Sequence, residues 1–254
     1  MIHLKTLEEI EILRENAILV SKTLAEVGKL VAPGVTTKAL DKRAEEFIRD
    51  NGAVPGFLGY GGFPATLCIS VNDVVVHGFP SDYELKEGDI VSVDCGTIYK
   101  GFYGDSAYTF PVGEVDKETA YLLKTTKEAL ALGAKQAIDG NRIGDIGHAV
   151  QSYCENRGFS VVRELVGHGI GRDMHEDPFV PNYGKAGSGK RLKEGMVICI
   201  EPMINAGKKE VYEQENGWGI ATSDGKKSAH FEWTVAVKKG APDILTTFDY
   251  IDNI

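Results

Sequence analysis

The phrase Leu-Lys-Glu-Gly occurs twice, at residues 85–88 and 192–195, and this repetition constrains the fold more than any other feature. Each copy runs through a short apolar stretch into a carboxylate at nearly the same step: Asp94 in LKEGDIVSVDCG and Glu201 in LKEGMVICIEP. The repeat reaches further back. Aligning residues 32–53 with 138–159 matches Gly34 with Gly140, Leu40 with Ile146, Phe47 with Tyr153 and Gly52 with Gly158 at an offset of 106, against 107 for the LKEG phrases. A nearly constant register over two kinds of segment points to duplication, with halves at roughly 1–115 and 116–254. Two such halves pack about a pseudo-twofold axis, their helices covering one face of a shared central antiparallel sheet and their strand-end acids meeting near the axis. The expected class is therefore α+β. No linker-like segment divides the halves, so residues 1–254 read as a single domain.

The helices have local signatures. Thr6 and Glu9 have the spacing of a capping box, and Ile10, Leu13, Ala17, Val20, Leu24, Val27 and Val31 form one apolar stripe. The spacing predicts a long helix ended by Pro33-Gly34, then a shorter one over 37–50 closed by Asn51-Gly52.

Composition excludes several functions. With 26% charged and 43% hydrophobic residues, the chain reads as an ordinary soluble protein. A formal net charge of -9 and the lack of a basic patch disfavour nucleic-acid and anionic-membrane binding. Neither a signal-peptide core nor a membrane-length apolar run is found, so a cytoplasmic location is expected. Cys68, Cys95, Cys154 and Cys199 lie far apart without a C-x-x-C pair, and read as reduced core thiols.

Residues 90–110, IVSVDCGTIYKGFYGDSAYTF, predict a β-hairpin; a turn centred between Tyr99 and Lys100 would set Asp94 opposite Asp105. Carboxylates so opposed have Cβ atoms about 5 Å apart and repel. In the second half Glu201 ends one strand, and SAHFEWTVAV, residues 228–237, reads as a strand carrying Glu232. Singly, each acid could be a turn or surface residue. Together, four acids in apolar strands require protonation, arginines or metal, because a buried unpaired carboxylate costs several kcal/mol. Two divalent cations would balance them. His168 in a glycine-flanked loop, His175 beyond it and His77 beside Gly78 offer one ligand and two catalytic helpers. His148 falls in a helix and reads as a surface or packing group.

At these residues the sequence resembles the type I methionine aminopeptidases of the pita-bread fold family. The ordered series Asp94, Asp105, His168, Glu201, Glu232 carries the resemblance, and GHGIGRDMHEDP and CISVNDVVVHGFP narrow it. The similarity covers nearly the whole chain. It implies two divalent ions, of cobalt, manganese, iron, zinc or nickel: one held by Asp105, His168, Glu201 and Glu232, the other by Asp94, Asp105 and Glu232. It further implies that Glu201 carries the proton of the attacking water, His175 stabilises the carbonyl oxygen, and His77 hydrogen-bonds the scissile amide nitrogen. Tyr60, Phe63, Cys68 and Trp218 would form the methionine pocket, with Phe57 and Met174 nearby.

The implied activity is removal of N-terminal methionine from nascent chains with a small second residue, near the ribosome exit, by a monomer of minimal bacterial type. Four positions depart from the pattern: a tyrosine is expected at Phe63, an aromatic at Met174, a small residue at Phe57 and a glutamine at His230. Two other readings stay open, an X-Pro-cleaving enzyme on the same fold and a non-catalytic binding protein.

Overall fold

The computed structural model describes residues 2–253. Helix α1 (Leu7–Gly28) begins at the Thr6 capping box, with the Thr6 hydroxyl accepting from Glu9 N–H and the Glu9 carboxylate accepting from Thr6 N–H. Its stripe from Ile10 to Val27 is buried. The helix stops at Gly28, before the Pro33 predicted to end it, and Val31 lies outside it. Glycine is a poor helix former, and the chain tightens there through Leu30 N–H to Val27 and Val31 N–H to Gly28. Helix α2 (Thr37–Asp50) has the predicted bounds and closes through Gly52 at φ 75°.

Helices α3 (Lys117–Ala134) and α4 (Ile143–Glu155) form the corresponding pair in the second half. The two LKEG glycines, Gly88 and Gly195, share a left-handed turn conformation, φ 85° and 88°. One apolar cluster joins the helices of both pairs to the sheets between them, with Leu24 and Leu40 alongside Leu130, Ile146, Ile90 and Ile198.

The chain is mixed α and β with antiparallel ladders, arranged as four sheets among the described residues. The predicted hairpin consists of strands Ile90–Tyr99 and Phe102–Pro111, but its register differs from expectation. Lys100 and Gly101, φ 50° and 77°, form a two-residue turn, so Asp105 pairs with Gly96 and Asp94 with Ala107. Such a turn matches the twist of the strands it joins, which fixes the register. The two acids become diagonal neighbours on one face instead of direct partners.

In the second half, residues 228–237 are two strands, Ser228–His230 and Trp233–Ala236, in different sheets, and Glu232 sits at the break. The cause lies opposite. Glu201 and Pro202 interrupt the facing chain between Val197–Ile200 and Met203–Asn205, and proline has no N–H to continue a ladder. Both acids therefore emerge where regular pairing stops. The halves are stitched there by Glu232 N–H donating to Ala107 C=O, and by the hydroxyls of Ser106 and Thr234 donating to the carbonyls of Glu232 and Asp105.

Candidate metal centre

His168 lies in the short strand Gly167–Gly169, not in a loop, between Val197–Ile200 and Glu176–Val180. Its flanking glycines make this possible. A Cβ at Gly167 would come 2.3 Å from the Cys199 carbonyl oxygen, and one at Gly169 would come 2.3 Å from that of Asp177. Only a strand without side chains on either side of the histidine can thread so closely between its neighbours. His168 Nδ1 lies 2.9 Å from the Gly169 carbonyl, which can only accept, so Nδ1 carries the hydrogen. Nε2 is left with its lone pair facing the acids, 3.6 Å from Asp105 Oδ2 and 3.6 Å from Glu201 Oε1. Burial, aided by repulsion from His175, holds the imidazole pKa down at about 4, so the ring is neutral.

The four acids converge as the sequence predicts. Asp94, Asp105, Glu201 and Glu232 line one cavity of about 170 Å³ together with His168. Burial raises all four. Asp94 moves to about 6, while Asp105, Glu201 and Glu232 rise further, each with added repulsion from neighbouring carboxylates. Of the three ways to neutralise such a cluster, arginine is not used: among the described residues the cavity wall holds neither Arg nor Lys.

Divalent metal fits the residues present. Asp94 Oδ1, Asp105 Oδ1 and Glu232 Oε1 are buried without a hydrogen-bond partner, although buried polar atoms are nearly always satisfied. Ligand atoms of Asp105, His168, Cys199 and Glu232 all lie within 4.8 Å of one another. Carboxylate oxygens with one imidazole, its other nitrogen tied to a backbone carbonyl, are a donor set for borderline divalent cations.

Comparison with known proteins agrees with this geometry. Residues 11–239 match the model of metallopeptidase family M24. The methionine aminopeptidase of Clostridium acetobutylicum is 51% identical over 247 residues, covering 97% of this chain and 99% of that protein. The chain belongs to the methionine aminopeptidases of metallopeptidase family M24. The crystal structure of the methionine aminopeptidase from Rickettsia prowazekii superposes with a TM-score of 0.96 at 41% identity, over 97% of this chain and all of that one. The prolidase of Pyrococcus furiosus shares the fold at a TM-score of 0.79 and 24% identity; the match covers 96% of this chain but 65% of that one.

The remaining predicted residues surround the cavity of this methionine aminopeptidase homologue. His175 stands exposed at its mouth, with Nδ1 2.9 Å from the Tyr60 hydroxyl and its ring 4.4 Å from that of His168. His77, also exposed at the rim, has a left-handed backbone, φ 59°. The packed cavity wall lowers its pKa, with further repulsion from His230 and His175. Phe63 and Trp218 meet edge to face at 5.2 Å, beside Cys68 and Phe57. Met174 is buried behind Phe57. A Cβ on Gly96 would come 2.4 Å from the Phe57 ring and 2.9 Å from Met174 Cε, so this hairpin glycine makes room for the pocket wall.

Two residues of the centre escaped sequence reasoning. Cys199, read as a core thiol, presents its sulfur to the ligand atoms of Asp105, His168 and Glu232; its place two positions before Glu201 was the available signal. Burial raises its pKa well above the usual thiol range and Thr234 Oγ1 lies 3.6 Å away, so it packs beneath the acids as a neutral thiol. His230, given no role in the sequence, is buried with its Nε2 3.7 Å from Glu201 Oε2.

Proposed function

We propose that Asp94, Asp105, His168, Glu201 and Glu232 hold two divalent ions, Asp105 and Glu232 shared between them, in an enzyme that removes N-terminal methionine. The observation that carries this reading is the set of buried, unpartnered carboxylate oxygens facing the His168 lone pair. When bound, the metal supplies Lewis acidity and lowers the pKa of water from 15.7 to about 7.

The protein side chains account for the remaining steps. Glu201 takes the proton of the attacking water and returns it to the leaving amine nitrogen, acting as general base and then as general acid. If the Tyr60 hydroxyl donates to His175 Nδ1, the hydrogen of His175 lies on Nε2, a donor for the carbonyl oxygen as negative charge develops. His77, across the rim, hydrogen-bonds the scissile amide nitrogen. Phe63, Trp218, Cys68 and Tyr60 receive the methionine side chain. A cavity of about 170 Å³ is small beside the ~300 Å³ or more of drug-sized sites, and suits one side chain with its terminal amine. That size favours exopeptidase action and a small second residue.

We read residues 1–254 as one duplicated domain, supported by the apolar cluster common to both halves. Among the described residues no helix is long and apolar enough to cross a membrane. The charge of -9 argues against nucleic-acid and anionic-membrane binding. The internal duplication makes a monomer sufficient, and a nascent-chain substrate places its work in the cytoplasm near the ribosome exit. Affinity order and cellular supply together decide which of cobalt, manganese, iron, zinc and nickel occupies such ligands.

The test compares Met-Gly, Met-Pro and X-Pro peptides with and without chelator, beside metal analysis of the purified protein. Methionine release from Met-Gly that chelation abolishes supports the reading. Preferential X-Pro cleavage, or no cleavage with metal present, overturns it.

A further inference from the structure

His230 ends the strand Ser228–His230 and is 1% exposed. Its backbone is fixed from both sides by one residue: His230 N–H donates to Thr109 Oγ1 at 2.9 Å, and the Thr109 hydroxyl donates to His230 C=O at 2.7 Å. The ring therefore projects from a rigid rung between the two halves. Its Nε2 has no hydrogen-bond partner, and leaving such an atom unsatisfied costs about 1–3 kcal/mol.

The two oxygens of Glu201 face different imidazoles. Oε1 lies 3.6 Å from His168 Nε2 and Oε2 lies 3.7 Å from His230 Nε2. These contacts are not equivalent. The hydrogen of His168 is committed at Nδ1 to the Gly169 carbonyl, so its Nε2 has none to give. Of the two rings, only His230 can donate to Glu201. A shift of roughly 0.5–1 Å brings the pair into normal hydrogen-bond range.

We propose that His230 is a positioning residue: its Nε2–H anchors Oε2 of Glu201, fixing the rotation of the carboxylate so that Oε1 stays directed at His168 and the other acids. The proposal rests on Glu201 being both ligand and proton carrier. It also explains how this chain tolerates histidine where resemblance led us to expect glutamine. Both side chains present an N–H donor on a short stem.

The test uses the full chain, chelator-treated and labelled with 15N-histidine. Long-range proton–nitrogen spectra, with the His230 signals identified by their loss in H230Q, are expected to show a protonated Nε2 whose resonance shifts in Glu201→Gln. Calorimetric titration with Mn(II) is expected to show H230A weakening affinity about 10–100-fold and H230Q by no more than about threefold, as for outer partners of metal ligands. An Nε2 that is unprotonated or indifferent to Glu201→Gln overturns the proposal. Equal losses in H230Q and H230A also overturn it, because they would make the imidazole itself a ligand. The spectra compare wild type with Glu201→Gln and stand even if H230A fails to fold. Near-normal turnover in Glu201→Gln would instead sink the proton-carrier reading, leaving the His230 contact to be judged by its resonance.

Discussion

Asp105 pairs with Gly96 across the hairpin, two positions away from the Asp94 partner that the strand pattern suggested. This offset relieves the direct opposition of two carboxylates, and it puts a residue without a side chain where Phe57 and Met174 crowd against the strand.

Gly96→Ala should therefore damage the pocket more than the metal ligands. Its Cβ would fall 2.4 Å from the Phe57 ring. Overpacking of this kind costs about 1–3 kcal/mol, and displacement of Phe57 should raise KM for methionyl peptides. Denaturant unfolding and steady-state kinetics measure both effects; unchanged stability with unchanged KM would show that the wall yields freely.

Glu201→Gln removes the proton acceptor while keeping the shape of the side chain. Turnover should fall about 10²–10⁴-fold, the usual contribution of a positioned acid or base. Stopped-flow measurement at saturating metal and substrate checks this, and a loss of less than tenfold would assign proton transfer elsewhere.

The acids link stability to pH. In metal-free protein their folded pKa values are raised, to about 6 for Asp94 and further for Asp105, Glu201 and Glu232. The folded chain then holds more protons than the unfolded chain, so their contribution is fully present below about pH 4 and is lost as pH rises through the folded values. Saturating metal should reverse the slope, since binding requires deprotonated ligands. Melting curves from pH 5 to 8, with EDTA or with Mn(II), test the sign; parallel slopes in the two series would contradict a shared carboxylate site.

Tyr60→Phe removes a 2.9 Å hydrogen bond to His175 Nδ1 and frees the imidazole to change tautomer. A net loss of about 1 kcal/mol corresponds to roughly a fivefold drop in kcat/KM. Little change in stability is expected because Tyr60 is 42% exposed. Unaltered kcat/KM would mean that the hydroxyl does not orient His175.

Asn16 ties α1 to the hairpin that carries two of the acids. It is fully buried, donates to the Phe102 carbonyl at 2.9 Å and accepts from the Thr97 hydroxyl. Asn16→Leu removes a hydrogen-bond partner from both buried groups, which should cost about 2–6 kcal/mol, at about 1–3 kcal/mol for each. Chemical denaturation would reveal it, and a loss below about 0.5 kcal/mol would show that the hairpin does not depend on this anchor.

The sequence by itself determined what short-range chemistry and ordered residue type can encode. Thr6 and Glu9 announced α1, the twofold LKEG phrase announced paired elements, and the series Asp94, Asp105, His168, Glu201, Glu232 announced a site whose acids need neutralising. Tertiary structure decided what depends on chains distant in sequence. Pro202 broke a ladder and left Glu232, far along the chain, between two strands, and bare glycine backbone drew His168 into a sheet between distant neighbours. It also brought His230 and Cys199 to the acids; each stands two positions before a ligand candidate, but only the folded chain shows which groups it meets. The reason is physical: residue type sets which groups must be satisfied, whereas close packing and backbone pairing across the two halves set which partner satisfies them.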